Sequence, residues 1–246
     1  MKFLIQTINK QLVHDFTWEL TRCEEYHKWI EDPITLRYHE GLDFEPIKHH
    51  DSYVPVGSVE FVSAYLNRFY PDAKEALKPL NVPECLYPYA GRTITNVTKP
   101  EDMNIFGNSA LVFAKDMNQI KSPRTGFIGL PEFERVKDCQ VSSVLDFQSE
   151  WRVFVFQDAL YDCRCYQGDC FNIPSKDRIM EMMNAFRNEG TPVAYTLDVG
   201  VTTKGETVVI ECHRFFSCGL YGFSQQNIYP AMLSQTWYQM KNIKNK

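Results

Sequence analysis

The sequence predicts an α+β protein of two unequal parts, on three observations. The N-terminal stretch carries helical spacing between short apolar runs. From Ala110 onward the texture changes to short apolar strands separated by tight turns. Aromatic residues (17 Phe, 13 Tyr and 4 Trp) make up 14% of the 246 residues, against only 12 Gly. That balance suits a sheet-rich core and excludes collagen-like or glycine-linker architectures. Between the two parts, prolines 71, 79, 83, 88 and 100 interrupt the chain with no apolar periodicity. The division expected is a small α/β unit over residues 1–90 and a main domain over 91–246.

The elements follow in order. Residues 3–8 read as a strand, and 11–30 as a helix in which Leu12, Phe16, Leu20, Cys23 and Trp29 fall mostly at helical spacing and face the core. His14 and His27 lie in that helix as packing or surface residues, and His49-His50 precede a turn at Asp51-Ser52. Ser58 caps a helix running to about Tyr70, with Val59, Phe61, Val62, Tyr65 and Leu66 on its apolar side. Strands are expected at 109–115, 126–130 and 150–156. A helix at 175–187 is capped by Ser175 and packs through Ile179, Met182, Met183 and Phe186. Two last strands, 193–201 and 207–215, meet at Lys204-Gly205.

Charge and cysteine content narrow the function classes. A net charge of -5 argues against an extensive nucleic-acid surface, which has to be basic. After Glu211 no acid occurs while Arg214, Lys241, Lys244 and Lys246 follow, which reads as a solvated basic tail. No apolar run approaches the length of a membrane span, so no membrane partner is expected. The eight cysteines then read as reduced thiols of a cytoplasmic protein, in the host cytoplasm if the chain is phage-encoded. Cys163, Cys165 and Cys170 cluster, but completing a zinc site would need Cys212 and His213 from elsewhere, and strand cysteines are the plainer reading.

The last strand pair carries the chemistry. With Lys204-Gly205 as a two-residue hairpin loop, Asp198 faces Glu211, and period-two alternation puts His213 on the same sheet face. Two opposed carboxylates repel unless a cation or proton sits between them. Oxygen ligands beside an imidazole suit Mg2+ or Mn2+. The other reading is a solvated face, or a longer loop that shifts the register. Upstream, Lys115 ends a strand and Lys121 follows a short polar loop, either as phosphate-binding point charges or as ordinary surface lysines. Arg152 lies inside an apolar strand with Glu150 two residues before it, as a salt bridge or part of an anion site. Walker, dinucleotide-binding, nucleophile-elbow and zincin motifs are absent from the sequence.

Taken in order, Lys115, Lys121, Glu150-Trp151-Arg152-Val153-Phe154-Val155, Leu197-Asp198-Val199-Gly200 and Val209-Ile210-Glu211-Cys212-His213 resemble the ATP-grasp superfamily. The likeness is to its compact bacterial and phage clade with two lysines and an E-[YW]-R-V-F-V strand, over about residues 85–240. The resemblance implies two α+β lobes clasping a nucleotide, preceded by a small α/β unit. It further implies an ATP-dependent carboxylate-amine ligase that forms an amide through an acyl phosphate, releasing ADP and phosphate. Small-molecule or peptide carboxylates and amines would be its substrates.

By the same resemblance, Lys115 and Lys121 contact the nucleotide, with Lys121 also catalytic. Val144 and Asp146 lie in the hinge along adenine and ribose, and Glu150 joins the nucleotide site. Arg152 holds the γ-phosphate. Asp198, Glu211 and His213 take magnesium, or manganese. Arg214, with Ser217, Gly219 and Tyr221, falls where the acceptor pocket is commonly built. His213 departs from the usual asparagine, which keeps open a degenerate nucleotide-binding module. An ATP-grasp kinase acting on a small molecule is the third reading.

Overall fold

A computed structural model of the chain describes residues 1–107, 109–187 and 191–243. Lys244 and Lys246 of the basic tail lie outside the described residues. Backbone contacts divide the protein into a first unit, Met1–Leu77 with Pro192–Tyr195 and Arg214–Lys246, and a second, Lys78–Thr191 with Thr196–His213.

The first unit is built on three parallel strands, β1 (Lys2–Thr7), β2 (Thr35–Glu40) and β3 (Val54–Val56), in the order β2-β1-β3. Phe3, Leu4 and Ile5 of central β1 are fully buried on both faces, as a parallel strand between crossovers requires. Helix α1 (Asp15–Trp29) connects β1 to β2 and buries Phe16, Leu20 and Cys23. Trp29, expected toward the core, is 78% exposed because it lies in the last turn, off the buried stripe. Helix α2 (Val59–Phe69) starts where Ser58 Oγ accepts the Phe61 N–H at 3.2 Å. His27 is buried and lies between the carbonyls of Asp32 (3.0 Å) and Gln226 (3.2 Å), a packing role.

The second unit holds two four-stranded sheets. One contains β4 (Ile94–Val97), β5 (Leu111–Asp116), β6 (Gly126–Gly129) and β7 (Cys139–Ser143) in the order β4-β7-β5-β6, all antiparallel. Its Val97, Val112, Ala114, Ile128, Cys139 and Val141 form one core with Phe106 and with Val136 of the short helix α3 (Phe133–Val136). The other contains β8 (Phe147–Phe156), β9 (Ala159–Gly168), β10 (Ala194–Thr202) and β11 (Thr207–Arg214) in the order β11-β10-β8-β9. Between β9 and β10 runs α4 (Lys176–Arg187), which buries the four apolar residues its sequence predicts. A last helix of the first unit, α5 (Tyr229–Lys241), occupies the stretch that reads as a basic tail.

The β10–β11 turn corrects the expected geometry. Gly205 N–H bonds Thr202 O at 2.8 Å and Thr202 N–H bonds Glu206 O at 2.9 Å, so the loop is Thr203-Lys204-Gly205, one residue longer than expected. A two-residue turn of the mirror type demands positive φ at both positions, which Lys204 disfavours; in the three-residue loop Gly205 alone takes it, at φ 78°. At the far end Phe215 N–H bonds Ala194 O at 3.2 Å, one residue out of step with the turn. The slip between the two ends offsets the longer loop.

Candidate active site

Asp198, Glu211 and His213 each present a ligand atom within 4.8 Å of the other two, the only such group of three or more acids, histidines or cysteines among the described residues. Residues of β5, β8 and β9, with Asn81 and Arg92 from loops, build the surroundings. On β5, Val112 and Ala114 point into the core, so Leu111, Phe113 and Lys115 point to the opposite face. From there the Lys115 ammonium, 5.9 Å from the Phe113 ring centroid, pairs with Glu211 Oε2. On β8, Arg152 is buried and grips Asp198 with two parallel bonds, Nε to Oδ1 at 2.8 Å and Nη2 to Oδ2 at 2.7 Å. His213 Nε2 lies 3.1 Å from Glu211 Oε1.

Arg152 stands directly opposite Arg164 on β9, an arrangement that repels unless each charge has its own carboxylate. Arg164 has Asp162, at 2.9 and 2.6 Å. Burial alone would push the Glu211 carboxyl up, but His213 and Lys115 outweigh it and hold the group well below the usual carboxylate range.

β11 is an edge strand whose outer backbone groups need partners. Arg92 donates to Val209 O at 2.6 Å and Ile210 O at 3.0 Å, and burial pushes its guanidinium down to about 10 against the opposing pull of Glu211. Asn81 O accepts the Cys212 N–H at 2.7 Å, while its Nδ2 donates to Asp116 O at 3.1 Å. One residue thus ties the strand bearing Glu211 to the strand bearing Lys115. Gly200 is required by contact: a β-carbon there would lie 2.3 Å from the Phe147 ring.

The remaining residues singled out by sequence lie apart from this cluster. Val144 and Asp146 are exposed in the connection between β7 and β8, and Lys121 is exposed at φ 55° in the β5–β6 loop. That loop is held by Asp116, whose carboxylate accepts from Asn118 N–H, Ser122 Oγ and Arg124 Nε and Nη2. Glu150 reaches the cluster indirectly, accepting from the Tyr166 hydroxyl at 2.8 Å. Arg214 belongs to the first unit, and burial lowers its guanidinium from its ordinary value. Arg92, Asn81 and Tyr166 escape the sequence reading, the first two because they sit in the proline-rich stretch that shows no periodicity. Cys163 and Cys165 lie on β9.

Two carboxylates and an imidazole are a donor set suited to one hard divalent cation, and their spread comes within about 1 Å of the roughly 4 Å that an octahedral oxygen shell spans.

Two antiparallel-strand sheets with a lysine and an arginine set against an acidic pair are the arrangement of an ATP-grasp protein. The chain belongs to the family described as ATP-grasp domain, R2K clade family 2, whose match spans residues 89–231. Among solved structures, the D-cycloserine synthetase DcsG aligns over 98% of this chain and 100% of its own, with a TM-score of 0.55 and 10% identity. The ATP-grasp ligase PsnB, complexed with a phosphomimetic variant of its minimal precursor, Mg and ADP, aligns over 95% and 97%, with a TM-score of 0.53 and 11% identity. D-alanine–D-alanine ligase from Bacillus anthracis gives 98% of both chains, 0.52 and 10%. A search of curated protein sequences returns no match. No helix among the described residues is long and apolar enough to cross a membrane.

Proposed function

We propose that the protein is an ADP-forming carboxylate-amine ligase. The observation that carries the reading is the Asp198, Glu211 and His213 cluster facing Lys115 and Arg152 from other strands, in a chain of an ATP-grasp family. Phosphoryl transfer from ATP needs positioning and charge neutralisation more than a protein nucleophile. Asp198, Glu211 and His213 would hold Mg2+ or Mn2+, which when bound offsets phosphate charge. Lys115 would turn from Glu211 to a phosphate oxygen, and Arg152 would steady the γ-phosphate as it transfers to the substrate carboxylate. An amine then displaces phosphate from the acyl phosphate and the amide forms. Lys121, Val144, Asp146 and Glu150 would contact the nucleotide, and Arg214 the acceptor.

The solved proteins of this fold include PsnB complexed with a variant of its minimal precursor and a D-alanine–D-alanine ligase, which supports small-molecule or peptide substrates. A module that binds nucleotide without ligation is the second reading, favoured by His213 and by the cation already on each carboxylate. ADP release is to be measured with purified protein, ATP, Mg2+ or Mn2+ and a panel of amino acids and peptides. Carboxylate- and amine-dependent ADP with a matching condensed mass supports ligation. ATP binding without ADP across the panel leaves the module.

A further inference from the structure

We infer that Tyr166 is a positioning residue that holds the Arg152 guanidinium in the plane from which it meets phosphate. The inference rests on the ligase reading for what Arg152 does, and on the fold alone for how Tyr166 reaches it.

In the β8–β9 ladder Glu150 pairs with Gln167 while the next residue, Trp151, pairs with Cys165. Tyr166 is therefore the extra residue of a β-bulge. A bulge bends its strand and re-aims the side chain it carries. Arg164 stands opposite Arg152, so alternation along β9 puts Tyr166 on the same face, and at the bulge its ring lies with its centroid 5.8 Å from the Arg152 guanidinium carbon. That is within cation-π range. The hydroxyl is spoken for separately, donating to Glu150 Oε2 at 2.8 Å. Glu150 thus anchors the ring, the ring lies beside the Arg152 guanidinium, and two Arg152 nitrogens hold Asp198.

The phenol also stays a proton donor. Burial first, then the charges of Asp198 and Glu150, raise it far from ionisation. Tyr166 therefore adds no negative charge beside the acidic pair, and a hydrogen bond to Glu150 is the chemistry left to its oxygen.

Equilibrium binding of Mg2+·AMPPNP and Mg2+·ADP to the full chain tests the inference. The wild type is expected to prefer the triphosphate analogue, because Arg152 meets the γ-phosphate. Tyr166→Leu removes the ring and should cut that preference about tenfold while changing ADP affinity by no more than about twofold. Tyr166→Phe keeps the ring and should restore most of it. In an Arg152→Met background the leucine substitution should change nothing further, since Tyr166 acts only through that arginine. Tyr166→Met, similar in reach but without a ring face, replaces the leucine variant should that chain fail to fold.

A wild-type preference that survives both ring removals, or a loss that adds to that of Arg152→Met, overturns the assignment of Tyr166 and leaves the ligase reading standing. A wild type that binds neither nucleotide overturns the ATP-dependent reading, and the Tyr166 role with it. Equal affinity for the two nucleotides removes Arg152 from the γ-phosphate and overturns the inference by that route.

Discussion

The two sheets of the second unit treat buried charge in opposite ways. At the end of β5, Asp116 is 3% exposed and satisfied by its own loop: one backbone N–H, the Ser122 hydroxyl and two nitrogens of Arg124. The network is closed, because every donor lies within eight residues of the acceptor. In the β8–β11 sheet, Asp198 and Glu211 are met by Arg152 and Lys115, which arrive from other strands and from positions 46 and 96 residues away. On the ligase reading those partners would give way to a metal and a phosphate without unmaking a loop. A buried carboxylate with local partners holds structure; one with distant cationic partners is available for chemistry.

Asp198→Asn and Glu211→Gln test that contrast most severely. Each should reduce ADP formation by about a thousandfold or more with the fold retained by circular dichroism, since each removes a charged ligand from the cation site. Full activity in either variant sinks the metal assignment. Lys115→Met comes next: with Glu211 released from its ammonium, Mn2+ binding in the absence of nucleotide, read by electron paramagnetic resonance, should tighten about tenfold. Arg124→Met, in the closed network, should leave Mn2+ binding unchanged; equal responses from the two variants would break the comparison.

Asp116→Asn should cost about 1–3 kcal/mol in urea denaturation, the range for a buried hydrogen-bonded group that loses its charge partners. Burial raises the Asp116 carboxyl, but its hydrogen bonds to Asn118, Ser122 and Arg124 outweigh that and leave it below its ordinary 3.8. Its contribution to stability is therefore present above about pH 3.8 and is lost as pH falls through the lower folded value. The wild-type stability curve should drop across that acid window more steeply than that of the asparagine variant. Smallest of all, His213→Asn should preserve or improve Mg2+-dependent turnover and lower the ratio of Mn2+ to Mg2+ activity, because a carbonyl oxygen replaces an imidazole nitrogen. Complete inactivity would give the imidazole a role other than that of a ligand.

What the sequence disclosed divides along the same line. Lys115, Arg152, Asp198, Glu211 and His213 stand out because each interrupts or ends an apolar strand, and alternation assigns their faces. A two-residue turn and the observed three-residue loop put Asp198 and Glu211 on the same face, because the slip along the β10–β11 ladder offsets the extra residue. Tyr166 escapes because β9 mixes polar, charged and cysteine residues, so no apolar run marks it as the strand that pairs with Arg152's own. Asn81 and Arg92 act on backbone carbonyls and amides, which have no sequence signature. Helix α5 did carry its pattern, with Tyr229, Met232, Leu233, Thr236, Trp237 and Met240 buried at helical spacing, but the acid-free charge of that stretch drew attention from it.

The bond pair made by Asn81 also bears on how such a site can diverge. Its carbonyl holds Cys212, the residue after Glu211, and its amide holds Asp116, the residue after Lys115. The reach from ammonium to carboxylate is thus set in part by one residue outside both strands, its backbone oxygen on one and its side-chain nitrogen on the other. Divergence at that single position would shift both charged groups at once, with neither of them substituted.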